Sequence, residues 1–223
     1  MGRGADTRPP IPSHGTELFG QRYAFDFVRP DHRKGLHLHP AGTLRTFLLG
    51  GRTRDFYGWG QPVHSAFDGQ VVAAVDRVPE RARVQVVREL AVALRNTVGF
   101  DPARGGAELV AGNHVIIKGA EAFALYAHLA PGTVSVSTGQ VVRAGEVVGR
   151  VGHTGNSTAP HLHFQLMDSA DPLQAQGIPC AFAEYFVQRD EGWERVKRGI
   201  PGRGERIRSV PQGPTTSNSG RTA

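Results

Sequence analysis

Apolar and polar residues alternate along Tyr23-Ala-Phe-Asp-Phe-Val28, which predicts a half-buried strand. Residues 29–55 carry Pro, Gly and His with little periodicity and read as a long loop with room for one short strand. Long loops inside a domain are commonly functional. Val63 to Val75 reads as a hairpin about Asp68-Gly69, a strong turn dipeptide. From Pro79 and Glu80 the period changes. Val84, Val87, Leu90, Ala91, Leu94 and Val98 recur at helical spacing and predict a helix that stops near Gly99. Strand patterns then return at His114–Lys118, Phe123–His128, Val134–Val136, Val141–Val142, Glu146–Val151 and His161–Met167. Close spacing and Gly-bearing turns predict a mainly β fold, an antiparallel sheet or sandwich with one inserted helix.

The 223 residues suit one domain with extensions, large enough to bury a core without disulfides. Residues 1–12 read as a flexible arm, 13–168 as the β domain with its helical insert at about 79–110, 169–209 as an extension packed on it, and 210–223 as a disordered tail. Gly (29) and Pro (15) are frequent enough to favour short strands and many turns. Basic residues exceed acidic ones by 26 to 20, giving +6, and all but Lys34, Lys118 and Lys197 are Arg. Such a surface attracts polyanions, although much of the charge lies at Arg195 to Arg208 and serves solubility equally well. With Cys180 alone, an intrachain disulfide and a cysteine metal cluster are excluded, and a small buried thiol is the expected role. Met1 to Pro12 lacks the apolar stretch of a secretory signal. No run approaches the 18 apolar residues of a membrane span. Aromatics are not interleaved with Arg as a nucleic-acid stacking platform requires.

The strongest chemical signal is His161-Leu-His163, because residues i and i+2 of a strand share a face. One imidazole can then bind a metal while its neighbour handles protons. The chain holds a second copy, His37-Leu-His39, so the pattern needs company. Asp26 in an early strand offers a carboxylate, a normal zinc ligand, and His128 closes another strand. Zinc catalysis needs three protein ligands and an open position for water.

Tyr126-Ala-His-Leu129, Gly139-Gln-Val-Val-Arg-Ala-Gly145, Gly149-Arg-Val-Gly152, Thr154-Gly-Asn-Ser-Thr158 and Pro160-His-Leu-His-Phe164 occur in that order. The set, over about residues 20–168, resembles the lysostaphin/LytM-type family of peptidoglycan endopeptidases. The resemblance implies a duplicated-hybrid-motif fold with an open groove, a zinc cofactor and a peptidoglycan peptide as substrate. It also implies an extracellular or periplasmic site of action. It assigns metal binding to Asp26 and His163, and places His128 and His161 beside the catalytic water. The family's first ligand, a histidine four residues before the aspartate, is replaced here by Arg22. On a continuous strand Arg22 would point at the metal position. A guanidinium has no lone pair for zinc.

A third ligand is then sought elsewhere. His14, in Ser13-His-Gly-Thr16, ranks first, because a short Gly-containing turn could return it to the groove. His32, His37 and His39 are a second source and His64 a third. The three loop histidines also admit a separate metal site, against the plainer reading of an exposed His-rich loop. The function expected is a zinc metalloendopeptidase acting on peptidoglycan cross-bridges. The alternative is a zinc-free relative whose groove binds rather than cuts. A phosphocarrier is a third possibility, since Gly139–Gly152 also looks like a lipoyl-type hairpin, but Arg143-Ala-Gly145 stands where a lipoyl-bearing Lys would be.

Overall fold

A computed structural model of the chain describes residues 4–5, 18–32, 36–85, 88–92 and 106–210. At its centre β11 (Leu162–Met167), β8 (Phe123–Leu129), β7 (Asn113–Lys118) and β5 (Gly69–Val75) lie side by side in that order, all antiparallel. β9 (Val141–Val142) pairs with β5, while β2 (Phe25–Phe27) and β12 (Gly177–Ile178) both pair with β11, completing seven strands. Strand alternation divides the interior into two apolar layers. Phe25, Val115, Ile117, Ala124, Tyr126, Leu162 and Phe164 face a layer closed by Val63 and Val148. Those two residues lie on the small sheet of β4 (Pro62–His64) and β10 (Val147–Arg150). Ile116, Leu125, Ala127 and Met167 face the other layer with Ala111 and Ala175. Asp26 and His163 also lie on this second face, since each sits between two residues of the first layer.

The C-terminal residues form a sheet of their own. β13 (Phe182–Arg189) and β14 (Gly192–Gly199) make a hairpin, extended by β15 (Arg206–Arg208) and by β1 (Gly4–Ala5). Phe182 binds this sheet to the rest of the molecule. Its ring lies 5.3 Å from Phe25 and 5.8 Å from Phe27, edge-on to both. Such aromatic pairs contribute about 0.5–1.5 kcal/mol beyond the area they bury. Two residues of the segment read as an arm, Gly4–Ala5, thus join a sheet through β15. The rest of that segment, and the tail from 211, lie outside the described residues.

Several predicted elements differ. Val63–Val75 is not a hairpin: β4 pairs with β10, and β5 pairs with β7 and β9. The turn at Asp68-Gly69 instead bonds a segment distant in sequence, with Asp68 accepting from the Ala144 amide at 2.7 Å. Val134–Val136 is no strand, yet the amide of Ser135 reaches the Val148 carbonyl at 3.2 Å and Val136 is buried. The inserted helix begins later than its periodicity predicts. β6 (Arg83–Val84) pairs with β3 (Gly51–Arg52), and α2 occupies 88–92. The inward residue of α2 is Glu89, with Leu90 and Ala91 exposed. Leu94 and Val98 lie outside the described residues. The loop 29–55 carries a short helix, α1 (Thr43–Leu49), whose Leu44, Phe47, Leu48 and Leu49 are exposed while Thr46 is buried. α3 (Glu108–Ala111) leads into β7. Among the described residues no helix is long and apolar enough to cross a membrane.

Candidate metal centre

Three strands meet at the second face of the sheet. In β11 His163 and Gln165 share that face, and His161 just before it shares it too. β2 runs antiparallel beside β11 with Asp26 directly opposite His163. Opposed residues in such a pair put their side chains on one face. Asp26 Oδ1 therefore lies 3.0 Å from His163 Nδ1 and 3.4 Å from His161 Nε2. All three side chains are buried.

β8 brings the fourth group by an irregularity. Ala127 is the residue opposite His163, so regular alternation would send His128 to the other face. The register between β7 and β8 slips here: Asn113 pairs with Leu129, but Val115 pairs with Tyr126. A bulge of this kind re-aims a side chain. His128 takes a left-handed backbone with φ of 63°, uncommon for a side chain other than glycine. Its ring then stands 4.7 Å from that of His161 and 5.8 Å from that of His163.

Neighbouring acceptors fix the proton positions. His128 Nδ1 lies 2.9 Å from the Thr154 carbonyl, and His161 Nδ1 lies 2.7 Å from the Ala159 carbonyl. Carbonyls only accept, so each Nδ1 carries hydrogen, and Nε2 keeps a lone pair while the ring is neutral. Gln165 donates through Nε2 to the Phe19 carbonyl at 2.8 Å, turning its Oε1 to His163 Nε2 at 2.8 Å. His163 Nε2 is therefore the protonated nitrogen, and its Nδ1 faces the carboxylate. Burial, helped by the neighbouring imidazoles of His161 and His163, holds His128 well below the ordinary histidine range. Burial also works to lower His161, but the charge and hydrogen bond of Asp26 and the Ala159 carbonyl outweigh it and leave it raised.

The donor set suits a divalent cation. Ligands about 2.0–2.1 Å from a tetrahedral zinc stand roughly 3.3 Å from one another. The separations of Asp26 Oδ1 from His163 Nδ1 and His161 Nε2, 3.0 and 3.4 Å, bracket that value. One ring nitrogen each of His128, His161 and His163 lies within 4.8 Å of the others, and this is the one such cluster among the described residues. A lone pair on His163 Nδ1 facing a carboxylate oxygen calls for a positive charge between them. Residues 97–175 match the family model described as Peptidase family M23.

The match spans 79 of the 223 residues, and over that stretch the chain is similar to M23 peptidases. The chain is 34% identical over 101 residues to the DD-carboxypeptidase/endopeptidase Mpg of Neisseria meningitidis, a match over 45% of this chain and 23% of that protein. It is 38% identical over 84 residues to lysostaphin of Staphylococcus simulans, over 33% of this chain and 17% of that one. The chain thus spans under a quarter of the length of the curated relatives it matches. Among solved structures, the catalytic domain of lysostaphin is similar at 23% identity, with 78% of this chain and 86% of that chain covered and a TM-score of 0.42. The catalytic domain of the prophage-encoded M23 protein EnpA from Enterococcus faecalis gives 18% identity, 78% and 84% coverage and a TM-score of 0.41.

Four of the residues singled out by sequence, Asp26, His128, His161 and His163, come together. His14 lies outside the described residues. Arg22 does not point at the centre as a strand residue would. It belongs to a 3-10 turn, Leu18–Tyr23, broken by left-handed Phe19 and Gly20, and is exposed with its guanidinium 5.6 Å from the Tyr23 ring. The strand begins only at Phe25, so spacing by four no longer implies a shared face. The other histidines are held elsewhere. His64 Nδ1 bonds the Gly145 carbonyl at 2.7 Å, and His39 accepts from the Ala41 amide at 3.1 Å beneath Phe56. His32 is exposed and His37 half-buried, and the trio forms no ligand cluster among the described residues. Cys180 is half-buried against the first apolar layer, and burial pushes its thiol up to about 11, too high for a nucleophile.

Residues that sequence reading did not assign are those that orient the imidazoles: Gln165, Thr154, Ser157 and His153. Gln165 could have been found, since it continues the i, i+2 series after His163. The others act through a loop whose path has no periodicity.

Proposed function

We propose that this chain is a zinc-dependent endopeptidase that hydrolyses peptide bonds in peptidoglycan cross-bridges, acting outside the cytoplasm. The observation that carries the reading is Asp26 Oδ1 lying 3.0 Å from His163 Nδ1 with two further imidazoles at the same face. Asp26 and His163 would hold zinc, with His14 as the third ligand suggested by the sequence. Zinc in such a site makes a bound water acidic near neutral pH and polarises a carbonyl. The remaining roles belong to the chain. His161 Nε2, its lone pair free because Nδ1–H is held by Ala159, accepts a proton from the attacking water and returns it to the leaving amine. His128, low in basicity and fixed through Thr154, is neutral at Nε2 and orients the water from the opposite side. The name of one relative supports peptidoglycan as the substrate: the peptidoglycan DD-endopeptidase ShyA of Vibrio cholerae.

The test is elemental analysis of untagged protein together with hydrolysis of cross-linked peptides bearing Gly or D-Ala bridges. One zinc per chain is expected, and a chelator should abolish cleavage. His161→Ala should cut the rate by about a hundredfold or more while zinc stays bound, as general acid–base groups contribute on that order. His14→Ala should instead release zinc. A zinc-free protein with an intact fold would favour the alternative, a wall-binding module, which the substitution at Arg22 supports. Retention of zinc in the His14→Ala variant would move the third ligand to another donor, with His161 first in line.

A further inference from the structure

The inserted segment buries a charge. Glu89, the inward residue of α2, has a fully buried side chain in a helix turn whose Leu90 is exposed. Burying an ionised carboxylate is costly unless it is paired and hydrogen-bonded. Arg81 Nε lies 2.6 Å from Glu89 Oε2 and Arg88 Nη2 lies 3.0 Å from Oε1. Arg81 Nη2 lies 3.4 Å from His153 Nε2, nearer than the 3.7 Å from that nitrogen to the carboxylate, and the His153 side chain is also fully buried. On its far side His153 Nδ1 is 2.9 Å from Ser157 Oγ, and Ser157 Oγ is 3.2 Å from His161 Nδ1. A polar line thus runs from the insert through Arg81, His153 and Ser157 to the imidazole read as the proton-transfer group.

The direction of donation along this line is consistent. His161 Nδ1–H points toward Ser157 Oγ and the Ala159 carbonyl. The Ser157 hydroxyl donates its one hydrogen to the Ala159 carbonyl at 2.7 Å, so the 2.9 Å contact is donated by His153 Nδ1–H to Ser157 Oγ. His153 Nε2 then keeps its lone pair, which accepts from Arg81 Nη2 at 3.4 Å. Arg81 braces the same loop, donating to the carbonyls of Gly155 at 3.1 Å and Ser157 at 3.0 Å. We propose that Glu89 is a positioning residue for His161, acting through Arg81, His153 and Ser157, and that the inserted segment is there to supply it. The carboxylate holds Arg81, and Arg81 sets the His153 tautomer. That tautomer donates to the serine oxygen, which is thereby fixed where it accepts the Nδ1–H of His161, leaving Nε2 aimed at the centre. Partners that orient an active imidazole typically matter about ten- to a hundredfold.

The proposal rests on the proton-transfer role given to His161, so its test has an arm independent of activity. Nitrogen-15 spectra of the imidazoles are recorded on the zinc-free full chain, for wild type, Glu89→Gln and Glu89→Asp. At a pH where both rings are neutral, wild type is expected to show His153 and His161 each protonated at Nδ1. Glu89→Gln should redistribute the His153 tautomers and move the His161 resonances, and Glu89→Asp should restore part of the wild-type pattern. In zinc-loaded protein the Gln variant should lose about tenfold or more in kcat with KM changed less than about twofold. A folded Glu89→Gln protein with unmoved His161 resonances overturns the proposal, whatever its activity. Should that variant not fold, Ser157→Ala interrupts the line next to His161, and unchanged His161 resonances there overturn it equally. A wild type that cleaves nothing removes the endopeptidase reading and leaves the spectra to decide the positioning.

Discussion

At the scale of single residues, the centre is built by deciding where each imidazole hydrogen sits. Two main-chain carbonyls and one amide oxygen do this for His128, His161 and His163. The same burial that keeps histidines neutral has a cost at low pH. His114, His153 and His39 are each lowered from the ordinary histidine value, chiefly by burial, and His128 more so. A group whose folded pKa lies below its unfolded value binds more protons when unfolded, so stability rises with pH through that range. Only His161 works in the opposite sense among the shifted histidines. The melting temperature of the zinc-free protein should therefore fall as pH drops from about 7.5 to about 5.5, across the unfolded histidine value near 6.5. Scanning calorimetry across that range checks this, and a flat or rising profile would contradict it.

At the scale of elements, the loop after β10 reaches the site only because two glycines let main chains touch. A Cβ on Gly112 would lie 2.4 Å from Thr154 Oγ1 and 2.5 Å from the Thr154 carbonyl carbon. Gly112 also has φ of 65° and ψ of −146°, a region essentially open to glycine alone. Thr154 is the residue whose carbonyl holds His128. Gly112→Ala is expected to destabilise the fold by about 2 kcal/mol or more. It should also impair catalysis beyond that loss, measured as kcat below the unfolding range. The strands β7, β8 and β11 were legible in the sequence because each alternates between two apolar layers, whereas Val134–Val136 shows the pattern without forming a strand. The pairing at 63–75 was not legible, because Asp68-Gly69 signals a turn without naming the strands it joins. The insert misled for a related reason. Helical spacing of Val84 and Leu90 suggested an apolar inner face, whereas the partners awaiting α2 are Arg81 and His153, so Glu89 turned inward. Arg22 pointed at the metal position only on the premise of a continuous strand, which left-handed Phe19 and Gly20 and the 3-10 turn remove.

At the scale of the molecule, the candidate metal centre and the C-terminal sheet both rest on β2. β2 carries Asp26 on one face and Phe25 and Phe27 on the other, and Phe182 of β13 packs on both rings. An edge strand of three residues has little pairing of its own, so this aromatic clasp helps keep the carboxylate in register. Phe182→Ala should lower stability by about 2–4 kcal/mol, given its partial burial. It should also weaken zinc retention against a competing chelator, although residue 182 touches no ligand. Unaltered metal affinity in a folded variant would separate the two sheets functionally. Convergence of residues 26, 128, 161 and 163 could be anticipated from ordered motifs, while the route by which 128 arrives could not. That route has a practical side. A histidine aimed by a kinked main chain has no second address on its strand, for Ala127 and Leu129 are each sealed into an apolar layer. Engineers wishing to transplant this centre to another scaffold must carry the bulge along with the ring.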